Sequence, residues 1–355
     1  MDGQGGVGAR LWGRYRRFIE RREERLASRT TDRVVRSFEW GLDWTRSWPC
    51  ASASGADGGD PAERMLGLAR AAAMDSPAFF HYATPRDFEF GGGELRFASP
   101  VLTPCAENNT VRAQWFPSSR AAGRAVLVLP HWNATFEQHG SLCRALSALG
   151  VSALRLSLPY HDQRMPRELH RADYAVSSNV GRTVDAARQA VIDTRACLDW
   201  LERQGYRRLG IVGTSLGSCY AFLTSAHDAR LRVNGYNLFS NYFADVVWTG
   251  LTTRHIRQSF EGRIGLDLLR KAWAPITPCT YLDRYGRHEK KSLFLYGTCD
   301  TTFLPRYSEE MIEQARLRGI DCKVVALPCG HYTLGETPFR FIDGYQICAF
   351  FLRNL

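Results

Sequence analysis

From residue 124 onward, short apolar runs alternate with helical patterns. RAVLVLP (124–130), VSALRLSLP (151–159), RRLGIVG (207–213), RVNGYNLFS (232–240), KSLFLYG (291–297) and CKVVALP (322–328) read as strands. Stretches at 139–150, 183–204, 216–227, 306–318 and 339–353 read as helices. In the long one, Val184, Ala187, Val191, Leu198 and Leu201 share a face. Such alternation implies a mostly parallel sheet with helices on both sides. Continuous apolar runs such as 124–130 suit strands buried on both faces. GELRFASPV and TVRAQWFP come earlier and read as a hairpin, so the expected sheet has eight strands. Residues 86–355 form this α/β unit, and 241–290 interrupt it as a helical insertion placed to act as a lid.

Residues 1–85 read as a helical extension and linker. In 9–29, Trp12, Tyr15, Ile19 and Leu26 fall on one helical face among arginines; 48–61 is a small, glycine-rich linker, and 62–74 a second helix. Residues 1–37 hold ten arginines and five acids, about half of the net charge of +10. The apolar face either docks on the main body or meets a membrane surface weakly through the basic helix. No signature of a nucleic-acid-binding fold accompanies the charge, so no nucleic-acid partner is expected. No apolar run approaches a membrane span, and the basic start lacks the apolar core of a secretory signal. The ten cysteines are scattered without metal spacing and read as buried thiols of a cytoplasmic protein; no metal or cofactor is expected. Without a secretory signal, the glycosylation sequons at Asn108 and Asn133 carry no weight.

In an open α/β sheet, ligands bind beyond the C-terminal ends of the strands. Those ends carry HWNAT, YHDQRMP, a serine in GTSLG, TCDTTFLP and CGHYTLG. The serine is Ser215, on a strand-to-helix turn tight enough for side chains at 213 and 217 to collide, so both are glycine. A serine attacking a carbonyl needs a base, and the base needs a carboxylate to hold its tautomer. Asp300 and His331 follow later strands on the same edge. Asp300 also reads as a helix cap, since Thr301 and Thr302 follow it, and Asp245 is a rival acid. His161, Asp162 and Arg164 read equally as pocket or loop residues. Cys219, Cys299 and Cys329 read as packing.

With Ser215 in a G-x-S-x-G turn, then Asp300, then His331, the chain from about 90 to 355 resembles an α/β-hydrolase. PYHDQRMP also resembles a branch of abhydrolases with a Pro-Tyr…Arg-x-Pro pattern. The resemblance implies a serine hydrolase with Ser215 as nucleophile, His331 as base and Asp300 as its acid. It implies oxyanion donors at the main-chain N–H groups of Leu216 and Trp132. Many members carry His-Gly where this chain has His131-Trp132-Asn133. His131, His161, Arg164 and Trp248 are the side chains expected around the substrate. The expected substrate is a small-molecule or lipid carboxylic ester, with thioester or amide as variants. The alternative is an idle fold used as a binding or membrane-associated scaffold.

Overall fold

The alternation is realised as one sheet of nine strands, not eight: β1 (Glu89–Gly91), β2 (Glu94–Ala98), β3 (Thr110–Phe116), β4 (Arg124–Leu129), β5 (Ser152–Leu156), β6 (Arg208–Thr214), β7 (Leu231–Asn237), β8 (Lys291–Gly297) and β9 (Asp321–Leu327). The computed structural model describes residues 4–51 and 59–355. The centre of the expected linker, 52–58, lies outside them. The extra strand is β1, three exposed residues that fold back on β2 through Gly92 and Gly93. It has no buried face, so no apolar pattern announces it.

The strands lie in the order β1-β2-β3-β5-β4-β6-β7-β8-β9. β1, β2, β3 and β5 pair antiparallel, and β5, β4 and β6 to β9 pair parallel. Alternate residues of one strand face opposite sides of a sheet. Leu127 and Leu129 of β4 join one core with Leu154, Leu156 and Ile211, while Val126 and Val128 join the other with Ala153, Val212 and Leu295.

The described helices are α1 (Gln4–Ala27), α2 (Pro61–Met74), α3 (Ser76–Phe79), α4 (Gly140–Ala148), α5 (Val180–Arg203), α6 (Leu216–Ala226), α7 (Phe243–Thr249), α8 (Arg254–Phe260), α9 (Leu266–Ala272), α10 (Leu282–Tyr285), α11 (Pro305–Leu317) and α12 (Phe339–Asn354). α4 and α12 supply Cys143, Leu146, Ile347 and Phe351 to the second core; α5, α6 and α11 cover the first. The side chain of Asn179 caps α5 by accepting from Arg182 N–H at 2.9 Å.

The N-terminal residues share the first core. Met65, Leu68, Phe79 and Phe80 are each at most 1 % exposed and pack within it, each large side chain contributing about 1.5–3 kcal/mol. The Trp48 indole donates to Asp185 Oδ1 at 3.0 Å. α1 buries Ile19, Glu23 and Ala27 at helical spacing and leaves Trp12 exposed. The buried face is therefore turned from the expected one, and a carboxylate lies in its middle. No described helix is long and apolar enough to cross a membrane.

Candidate active site

β6 runs straight into α6, and Ser215 makes the turn at φ 55°, ψ −119°. A side chain at such a backbone is strained, and the close approach explains both flanking glycines. A Cβ at 213 would come within 2.1 Å of Gly217 O, and one at 217 within 2.3 Å of Pro130 O. Ser215 N–H donates to Asn237 O at 2.9 Å, holding the turn against the end of β7.

Two further strand ends meet this serine. His331, past β9, has Nε2 2.9 Å from Ser215 Oγ. Its Nδ1 lies 2.9 Å from Oδ2 of Asp300, past β8. A carboxylate only accepts, so Nδ1 carries the proton and Nε2 accepts from the serine hydroxyl. The other oxygen of Asp300 accepts from Thr302 N–H at 2.7 Å and Phe303 N–H at 2.8 Å. Asp300 is not the expected helix cap, since α11 starts at Pro305 with Leu304 at its N-cap; one oxygen holds the turn before that helix while the other meets His331. Burial pulls the His331 pKa down, but Asp300, by charge and hydrogen bond, outweighs it with help from Glu23, and the net shift is upward. The rival acid Asp245 is engaged elsewhere, bound by Arg270 at 2.9 and 2.6 Å.

The loop after β4 carries Trp132. Its indole donates to Ala172 O at 2.9 Å, Asn133 Oδ1 accepts from Ala172 N–H at 2.8 Å, and Asn133 N–H donates to His161 Nε2 at 2.9 Å. The Trp132 N–H makes no main-chain hydrogen bond among the described residues. Leu216 opens α6, where the first N–H groups lack helical partners. His131 lines the cavity and pairs with His139 ring to ring at 2.9 Å. Burial lowers them to about 4 and about 3, so both are neutral at ordinary pH.

Three expected substrate contacts fall elsewhere. His161 is buried and absent from the cavity wall; it serves the loop, with Nδ1 donating to Pro159 O at 2.9 Å. Burial pushes it to about 3, keeping the neutral form that accepts from Asn133. Arg164 is wholly buried and donates to Asn108 O, Ser157 O and Asp193 Oδ2. Asp162 binds Arg155 at 3.0 Å. Trp248 faces away from the cavity and stacks on Phe260 at 6.3 Å; Trp273 is buried and donates to Val180 O at 3.3 Å. From the same insertion Phe243, Val246 and Val247 do line the cavity beside Ser215.

The cavity, about 1310 Å³, runs from those α7 residues past Ser215 and His331 to Leu142 and Ala145 of α4 and Ile347 of α12. An apolar trough with a few convergent polar groups is the usual form of a small-ligand site. The residue that sequence reading missed is Glu23, whose carboxylate accepts from Thr333 N–H at 2.8 Å, two residues past His331. The spacing Ile19-Glu23-Ala27 was its available signal.

A model of the family described as alpha/beta hydrolase domain containing 18 matches residues 120–250. No curated protein matches the sequence. Among solved structures, the acylaminoacyl peptidase of Pyrococcus horikoshii is similar with TM-score 0.57 at 13 % identity, over 76 % of this chain and 42 % of the peptidase. This chain thus spans less than half the length of that enzyme. Acetyl xylan esterase 1 from a Thermoanaerobacterium species gives TM-score 0.57 at 12 % identity, over 89 % of this chain and 99 % of the esterase. An esterase of Pyrococcus furiosus gives 0.52 at 14 % identity, over 75 % and 93 %.

Proposed function

We propose that this chain, an α/β-hydrolase by fold, is a serine hydrolase that cleaves a carboxylic ester through an acyl-enzyme. The observation that carries the reading is the continuous chain of hydrogen bonds Ser215 Oγ–His331–Asp300, both links 2.9 Å, opening on the cavity. Ser215 attacks the carbonyl carbon while His331 Nε2 takes its proton. Asp300 holds the imidazole tautomer and stabilises the imidazolium. The main-chain N–H groups of Leu216 and Trp132 receive the oxyanion. His331 returns the proton to the leaving alkoxide, and a water deprotonated by the same imidazole releases the acid.

Ester cleavage is favoured because the wall near Ser215, formed by Phe243, Val246 and Val247, suits an acyl chain and offers little to a peptide main chain. The test is labelling by a fluorophosphonate, followed by turnover of p-nitrophenyl esters of graded acyl length. The wild type is expected to label and turn over, and Ser215→Ala to do neither. Undiminished labelling of Ser215→Ala would place the nucleophile elsewhere and end the reading.

A further inference from the structure

A carboxylate buried among main-chain donors beside a catalytic histidine needs a reason, because burial penalises its charge. Glu23 belongs to α1, outside the sheet and its connections, yet it is 0 % exposed. Its oxygens accept from Tyr332 N–H at 3.0 and 3.1 Å and from Thr333 N–H at 2.8 Å. Gly330, just before His331, makes room: a Cβ there would lie 2.4 Å from Glu23 Cδ. Thr333 Oγ1 accepts from Gly330 N–H at 2.7 Å, closing the loop on itself.

The same helix grips this loop at both ends. Tyr15 donates to Pro328 O at 2.5 Å, and Arg22 pairs with Glu336 at 2.5 Å. Just after α1, Arg33 donates to Tyr332 Oη at 2.9 Å. Every one of these contacts falls within residues 328–336, the segment that presents His331.

We infer that α1 is a working part of the active site and that Glu23 is a positioning residue, which holds the His331 loop in register with Ser215 and adds negative charge beside the imidazolium formed during catalysis. The inference rests on the serine-hydrolase reading. The groups facing His331 are Asp300 from the loop after β8, Glu23 from α1 and His131 from the loop after β4, with Cys329, Tyr332 and Arg33 around the same loop. Burial raises the pKa of Glu23, while the N–H groups of Tyr332 and Thr333 draw it back. Donors of that kind favour the ionised form.

The test compares full-length wild type, Glu23→Gln and Ile19→Ala on a p-nitrophenyl ester. Ile19 is buried in the same helix face but touches none of the loop's N–H groups. Glu23→Gln is expected to lower kcat about 10- to 100-fold, the cost of a small misplacement of a catalytic group, with KM changed less than about threefold. Its kcat/KM should begin to rise at lower pH than in the wild type, because a negative charge near the imidazolium is gone. Ile19→Ala is expected to lose melting temperature while kcat stays within about twofold. A Glu23→Gln enzyme with wild-type kcat and pH profile overturns the inference, as does an equal loss of kcat in Ile19→Ala. Should Glu23→Gln not fold, Tyr15→Phe, which removes only the bond to Pro328, is measured in its place. It should lower kcat with KM unchanged, and an unaltered kcat there also overturns the inference. A wild type that neither labels at Ser215 nor cleaves the ester removes the reading and this inference together. A labelled wild type beside an unimpaired Glu23→Gln removes the inference alone.

Discussion

The loops after β5 and β9 look alike in sequence: each puts a histidine and polar neighbours at the C-terminal end of a strand. Their fates are opposite. After β5, Arg164 spends its donors on Asn108, Ser157 and Asp193, Asp162 binds Arg155, and His161 uses both ring nitrogens on main-chain atoms. After β9, His331 uses one ring nitrogen on Asp300 and turns the other to a serine hydroxyl at the cavity. Position at a strand end therefore does not make a residue functional. What decides is whether the interior consumes all of its hydrogen-bonding capacity or leaves one atom facing the cavity.

The largest effect that would sharpen this contrast lies in the β9 region. Asp300→Asn should reduce kcat about 10³- to 10⁴-fold, since both the imidazole tautomer and its charge partner are lost. Asp245→Asn should cost far less, because Asp245 serves Arg270 and has no link to His331. Steady-state ester hydrolysis measures both, and reversed losses would move the acid to Asp245.

For the β5 region the expected damage is to stability. Arg164→Met strands the Asp193 carboxylate, fully buried, without its 2.8 Å cation. Breaking a buried pair from one side costs about 3–5 kcal/mol. Denaturant unfolding should show that loss, while kcat of the folded fraction stays near wild type. A stable variant with impaired kcat would mean that Arg164 meets substrate after all.

The same contrast explains what could be read from the chain. β4, β5, β6 and β8 were legible because strands buried along most of their length read as apolar runs, whereas β9, at the sheet edge with only Leu327 buried, was legible from its run Val324-Val325-Ala326-Leu327. Ser215, Asp300 and His331 were legible because each follows such a run. β1 was not, having three exposed residues and no pattern. The roles of His161 and Arg164 depend on partners distant in sequence, Asn133 and Asn108 among them. Glu23 in an arginine-rich helix reads as a solvated charge until the loop that covers it is known.

The histidines differ in pH response as well. His331 is raised, so a rate that needs its neutral form should climb through an apparent pKa above 6.5. His161 and His227 are lowered to about 3, and His255 to about 4, each chiefly by burial. Below about pH 6.5 the unfolded chain takes up protons that these folded histidines refuse. Each therefore withdraws about 1.4 kcal/mol of stability per pH unit until its own pKa is reached. His331 has the opposite sign: its contribution is full below about 6.5 and is lost as pH rises through its raised value. Asp343 and Asp185, raised by burial to about 7 and about 6, act in the opposite sense over the same range. His161→Gln should therefore flatten the fall in unfolding free energy measured at pH 7, 6 and 5 relative to the wild type, and an unchanged pH dependence would mean that His161 is already charged in the fold.

The smallest expected effect concerns the inserted segment, where two neighbours on α7 divide as the two loops do. Val246 lines the cavity beside Ser215, whereas Trp248 stacks on Phe260 with its ring under Arg257. Val246→Phe shortens the room for an acyl chain and should move the preferred p-nitrophenyl ester toward shorter acids. One methylene in an apolar pocket is worth about tenfold in kcat/KM at the low end of the usual range, so a shift of one or two carbons is resolvable. Trp248→Ala removes packing from the outer side of α7, so it should lower the melting temperature and leave the order of the esters intact. A changed order in Trp248→Ala, with Val246→Phe unaltered, would mean that substrate reaches the other side of α7.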